Sequence, residues 1–378
     1  MALGYESKIV RIAGDDGDVV GRALIAQEAG RLSSDAAAWL DQQRTGSVRY
    51  DGSLGALVRL YQNHDASPYH ELKWNTRRTY DHELKLISTA FGKRQLAALK
   101  IDDFRRWYAE AKTPAKPGGV EHVRKAHGII NMLRRIFAFG VTAEVPQCNR
   151  LDAILARARF KQPAPSREKL TRQQVEAFIP RARAAGRLSL AIGTALQFES
   201  TFRQRDVIGE WEPIPAGTTP SGIVLNKRRW TLGITWGDIR PDWTLEKLTS
   251  KNGQFVGHDL KLYPMTLALL MEVPEASRIG PLIMDEVEGR PYAEFAYARE
   301  WRVIATEAGI PKTVWNMHAR AGGISEGDEA GADLDAIGHQ SGQTLRATTA
   351  RYVRGTIEKT RKVANLRNAH VERGQNGG

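Results

Sequence analysis

The feature that most limits how this chain can fold is a break. The stretch Lys161–Thr171, KQPAPSREKLT, sets two prolines, a serine and several charges between two long patterned regions, and no helix or strand reads through it. A division near residue 165 follows. The 378 residues suffice for two domains of roughly 100–200 residues each. The reading is a domain over 53–160, a linker over 161–168 and a second domain over 169–360. Residues 1–52 are an N-terminal arm and 361–378 a basic tail.

Before the break the apolar spacing is helical. SLGALVRLYQNH starts at a serine cap, NTRRTYDHELKLISTAFG runs from Asn75 to Gly92, and IDDFRRWYAEAK starts at Asp102 or Asp103. The longest segment, Gly119–Gly140, places Val123, Ile129, Ile130, Leu133, Ile136 and Phe137 on one face. Arg124, Lys125, Arg134 and Arg135 line other faces and are the candidate contacts to a polyanion. In the arm, SSDAAAWLDQQR reads as a short helix capped at Ser34 or Asp35. After the break, Thr171 caps RQQVEAFIPRARAAG, and SLAIGTALQFESTF is an apolar helix. RRWTLGITWGDI and WTLEKLTSKNGQFVGHDLKLYP alternate as strands, with Asn252-Gly253 read as a tight two-residue hairpin turn. Beyond Pro264 the chain reads as helical to its end. The fold class is mainly α with a small antiparallel β-sheet (α+β).

Charge narrows the partner. Lys+Arg number 55 against 43 Asp+Glu, a net charge of +12, which favours a polyanion such as nucleic acid or an acidic membrane surface. Cys148 is the single cysteine, so an intramolecular disulfide framework and a cysteine-based zinc site are both ruled out. No apolar run approaches the roughly 18–20 residues that span a bilayer. The N-terminus meets acidic residues too early for a secretory signal, so the expected location is the cytoplasm.

Four scattered segments carry residues with chemistry. STFRQRDVIGEW holds Arg203 and, three places on, Asp206; alone, such a pair is ordinarily a helix-surface ion pair. TSKNG holds Lys251, where a lysine is ordinarily solvated. WNMHARAGG holds His318 and Arg320. LDAIGHQSGQTLRATTARYVR holds His339 and Tyr352, the latter between two arginines as packing tyrosines often are.

The ordered set is more specific than its members. FRQRDV, a hairpin lysine, a His/Arg segment, IGHQS and TTARYVR, following a basic helical domain, resemble the tyrosine recombinase (phage integrase) family over roughly residues 53–360. The resemblance implies a helical core-binding domain plus a tyrosine-recombinase catalytic domain. It implies Arg203 clamping a backbone phosphate, Lys251 as general acid, His339 assisting and Tyr352 as nucleophile, with no metal or nucleotide cofactor. The implied partners are double-stranded DNA and a homo-tetramer on paired sites, with an accessory DNA-bending or directionality factor in addition. The chemistry suits these residue types. A guanidinium fork donates in parallel to two phosphate oxygens, a lysine can protonate a leaving 5′-oxygen, and a phenol can form a covalent phosphoryl intermediate that conserves bond energy.

The sequence departs from the family at its second box, normally His-x-x-Arg. Either Trp315 and His318 occupy the two places, or His318 keeps the histidine role and Arg320 supplies the guanidinium from a distorted segment. The interval to His339 is 339 − 318 = 21 residues from His318 and 339 − 320 = 19 from Arg320, and the family spacing favours the former. Phe202 replaces the family's glycine, the interval 352 − 339 = 13 is long, and AGGISEGDEAGAD is glycine- and acid-rich where the family has a firm helix. The alternative reading is therefore a recombinase-derived DNA-binding protein with weak or no strand exchange. An RNA-binding helical protein, motivated by charge alone, is the third.

Overall fold

The structure, a computed structural model, describes residues 50–349 apart from 216, 252, 294, 344 and 345. The arm helix expected at Ser34 or Asp35, the candidate nucleophile Tyr352 and the basic tail lie outside the described residues. The chain forms two compact units that divide between Pro165 and Ser166.

The first unit contains α1 (Leu54–Asn63), α2 (Trp74–Phe91), α3 (Ile101–Lys112), α4 (Val123–Thr142) and α5 (Pro146–Arg157). Ser53 caps α1 by accepting from the Ala56 amide at 3.1 Å. α3 opens with the Asp103 carboxylate accepting from the Lys100 amide at 3.0 Å. Proline at the first position of α5 removes an amide that would have had no helical partner. Leu57, Ile87, Phe104, Ile130, Leu133, Phe137 and Leu151 form a sealed core, and Phe91 stacks on Trp107 with ring centroids 4.0 Å apart. α4 buries Ile129, Ile130, Leu133, Ile136 and Phe137, as its period requires.

The second unit contains α6 (Arg172–Ala184), α7 (Leu188–Glu199), α8 (Gln204–Ile208), β1 (Glu210–Pro213), β2 (Val224–Leu225), β3 (Arg228–Thr231), β4 (Thr244–Leu248) and β5 (Phe255–Asp259). It continues with α9 (Pro264–Met271), α10 (Ala296–Glu307), α11 (Ala319–Glu329), α12 (Leu334–Gln340) and α13 (Arg346–Thr349). α7 is apolar all round and buried from Ser189 to Glu199, with α6, α9 and α11 packed against it. One antiparallel sheet has the order β1-β3-β2 and the other pairs β4 with β5.

Three local expectations differ from what is observed. The β4–β5 register pairs Leu248 with Phe255, and the Thr249 amide donates to the Gln254 carbonyl at 2.8 Å. The loop therefore holds four residues, not a two-residue turn at Asn252-Gly253. A two-residue turn does occur at Asn226-Lys227, both left-handed at φ 48° and 59°, joining β2 to β3. Among the described residues of 272–295 there is no α-helix, only a 3-10 turn at Glu275–Ser277, because Pro274, Gly280, Pro281, Gly289 and Pro291 interrupt them. The glycine-rich AGGISEGDE, by contrast, is a regular helix, α11. Its glycines are what let it pack. A Cβ on Gly322 would lie 1.8 Å from the Leu170 carbonyl oxygen, and one on Gly323 would lie 2.0 Å from that of Phe198.

Candidate active site

Arg203 stands at the end of a short connector between α7 and α8, at the N-cap of α8. The connector is held from several sides. The Glu199 carboxylate accepts from the Thr266 amide at 2.9 Å and its hydroxyl at 2.7 Å, fixing the start of α9 to the end of α7. The Glu199 carbonyl accepts from Gln340 Nε2 at 3.1 Å, which brings in the end of α12. Thr201 adopts φ 59°, a left-handed conformation unfavourable for a β-branched residue. Phe202 is fully buried and meets the His258 ring edge-on, with centroids 4.6 Å apart.

Asp206, wholly buried on α8, faces two ways. Its Oδ1 accepts from the Ser250 amide at 2.7 Å, which fastens the β4–β5 loop carrying Lys251 to the helix carrying Arg203. Its Oδ2 lies 3.9 Å from Arg203 Nη1. Thr201 Oγ1, Arg203 Nη1 and Asp206 Oδ2 are all buried without a hydrogen bond. Three buried polar atoms on one six-residue stretch lack a hydrogen-bond partner, and a bound ligand group is one explanation for such a cluster.

Lys251 is exposed in its loop. Lys247, four residues earlier on β4, is instead half-buried. Its ammonium donates to the Gly233 carbonyl at 2.7 Å, and burial lowers its pKa below the usual lysine range. His339 is exposed on α12, two residues before Ser341.

The second box resolves into two different environments. His318 closes a short 3-10 turn, Asn316–His318, just ahead of α11. Its Nδ1 accepts from the Trp315 amide at 3.0 Å, so in the neutral ring the proton sits on Nε2. Burial lowers its pKa, opposed by Glu168, which favours that neutral form at pH 7. Arg320, two residues on, turns inward and is only 7% exposed. Its Nη1 donates to the Thr201 carbonyl at 2.7 Å and its Nη2 to the Ser341 carbonyl at 2.8 Å. Trp315 remains 43% exposed.

The structure thus links the segments bearing Arg203, Lys251, His318, Arg320 and His339 in one unit. Nothing in the local sequence pattern marked Thr201, Ser341 or Gln340 as the groups that tie them, because each acts through a backbone atom or an amide side chain. In the first unit, Arg124, Lys125 and Arg135 are exposed on α4, with Arg135 over the Tyr80 ring at 4.9 Å. Arg134 differs. Its Nε donates to the Leu155 carbonyl at 3.2 Å and its Nη2 to that of Ala158 at 3.0 Å, so it closes the end of α5. Among the described residues no helix is long and apolar enough to cross a membrane, and no group of three His, Cys, Asp or Glu could hold a metal ion.

No protein-family model matches the chain, and no curated protein matches it. Solved structures do. A lambda integrase tetramer bound to a Holliday junction aligns with TM-score 0.62 at 14% identity, over 85% of this chain and 86% of that one. A lambda integrase dimer bound to a COC′ core site aligns with TM-score 0.59 at 13% identity, over 79% of this chain and 77% of that one. The Tn1549 transposon integrase in complex with transposon right end DNA aligns with TM-score 0.57 at 13% identity, over 84% and 99% respectively. The fold of this chain is that of the lambda and Tn1549 integrases.

Proposed function

We propose that this chain is a site-specific DNA recombinase that cuts and rejoins duplex DNA through a 3′-phosphotyrosine link. The observation that carries the reading is the buried, unbonded Nη1 of Arg203, set on a connector fastened both to the Lys251 loop and to the His339 helix. Further support comes from the fold neighbours, which are integrases bound to DNA, and from the net charge of +12.

In this reading the Arg203 guanidinium binds non-bridging oxygens of the scissile phosphate, where its charge stabilises the five-coordinate transition state. The Tyr352 phenol attacks phosphorus, its proton passing to solvent, and the bond to the 5′-oxygen breaks as Lys251 protonates that oxygen. His339 donates a further hydrogen bond. His318, through Nε2–H, takes the place of the family's second arginine. Residues Arg124, Lys125 and Arg135 contact the DNA backbone. Four chains act together on two paired sites in the cytoplasm, with an accessory DNA-bending or directionality factor setting the outcome.

The second box favours one competing reading, a recombinase-derived DNA-binding protein that has lost strand exchange. A neutral imidazole in place of a permanent bidentate cation removes several kcal/mol of phosphate stabilisation. A duplex nicked beside the crossover, which traps the covalent intermediate, separates the two. A protein–DNA adduct that disappears in Tyr352→Phe supports the enzyme, whereas tight binding without any adduct supports the competing reading.

A further inference from the structure

We infer that Arg320 is the positioning residue of this site, a buried cross-link that sets Arg203 and His339 at a fixed separation; the inference rests on the recombinase reading above. Arg320 lies in the first turn of α11 and sends its guanidinium inward, where Nη1 meets the Thr201 carbonyl and Nη2 the Ser341 carbonyl. The two acceptors belong to segments far apart in the chain. Thr201 lies two residues before Arg203, and Ser341 two residues after His339. One rigid, planar group therefore holds both catalytic segments at equivalent points.

The connector needs such a hold. Thr201 is left-handed at φ 59°, a conformation that costs a β-branched residue about 1–3 kcal/mol and persists only where its surroundings impose it. Gly323 lets α11 come close enough to impose it, since a Cβ there would lie 2.9 Å from Thr201 Cγ2. Burying a guanidinium is expensive compared with filling the same space with apolar atoms, so what sets it apart from an apolar filler here is the geometry it fixes. A lysine cannot substitute, because an ammonium on a flexible stem is a point charge and lacks the planar fork that reaches two diverging carbonyls at once.

The test uses the full chain with Arg320→Ala, Arg320→Gln and Arg320→Lys. Amide hydrogen exchange without DNA is followed at residues 199–206 and 338–343. Adduct formation on the nicked duplex is followed in single turnover, alongside the Kd for the same duplex. In Arg320→Ala, exchange should rise by about tenfold in both segments together, with α4 as an unchanged internal reference. The adduct rate should fall by about a hundredfold, as for a small misplacement of catalytic groups, while the Kd changes less than about threefold. Added guanidinium chloride should restore part of the rate to Arg320→Ala and none to Arg320→Lys. The inference is overturned if exchange rises in neither segment or in only one. It is also overturned if the adduct rate is unchanged, or if Arg320→Lys recovers the full rate together with thermal stability. A wild-type chain that forms no adduct refutes the recombinase reading, and the exchange measurement alone then decides whether Arg320 cross-links the two segments.

Discussion

The Asp206 carboxylate accepts a 2.7 Å hydrogen bond from the Ser250 amide while its other oxygen lies 3.9 Å from Arg203 Nη1, so one buried side chain governs both the lysine loop and the arginine. Asp206→Ala removes that acceptor and leaves the guanidinium without its counter-charge. We expect a loss of about 2–4 kcal/mol in urea unfolding, and a fall in adduct rate larger than the fall in DNA affinity. Asp206→Asn keeps the acceptor for Ser250 and should recover most of the stability. Equal behaviour of the two variants would show that the Ser250 bond is unimportant.

His318→Arg tests the second box directly. If His318 stands where the family has its second phosphate-binding arginine, a permanent two-pronged donor should raise the single-turnover adduct rate by about tenfold or more. A reduced or unchanged rate would reject that alignment.

The α11 glycines separate close packing from helix propensity. Gly323→Ala forces a Cβ to within 2.0 Å of the Phe198 carbonyl oxygen, which must move. The expected loss is about 3 kcal/mol or more, of the size seen for overpacked cores. Gly327→Ala on the same helix places its Cβ 3.8 Å from Ile337 Cγ1, an ordinary contact, and should stabilise by up to about 1 kcal/mol. Thermal melts of the two variants moving in the same direction would contradict the packing.

His258, buried on β5 with its Nδ1 2.7 Å from the Tyr263 hydroxyl, has its pKa pushed down by burial to about 4. The folded pKa lies below the unfolded value of about 6.5, so the unfolded chain binds the extra proton first and stability falls as pH drops through that window. The loss should total about 3 kcal/mol by pH 4. Urea midpoints between pH 7 and pH 4 should show a smaller slope in His258→Gln, and an identical slope would exclude His258 as a source.

The basic residues of α4 should divide by role. Arg134→Ala removes the groups that close α5 and should cost about 1–3 kcal/mol of stability. Arg124→Ala and Lys125→Ala should leave melting within about 0.5 kcal/mol. Each should weaken DNA binding and reduce the slope of log affinity against log salt by about 0.9. A salt slope that responds to Arg134→Ala alone would reverse the assignment.

Much of this protein was legible from local pattern. The break at KQPAPSREKLT, the caps at Ser53 and Thr171, the apolar face of α4 and the all-round apolarity of α7 are short-range signals, because each depends on residues within a few turns of one another. The order Arg203, Lys251, His318, Arg320, His339 and Tyr352 was equally visible, since it is a property of the chain itself. What the two residues of the second box do was not. His318 and Arg320 differ in role because one ends a 3-10 turn and the other points into the core, where it meets carbonyls 119 and 21 residues away in sequence. Likewise, the glycines of α11 read as weakness until Leu170 and Phe198 were seen to lie against them. Periodicity reports which face of an element is buried. Which backbone atom waits on the other side is decided only when distant segments pack, and in this chain the arrangement of the site depends on those atoms.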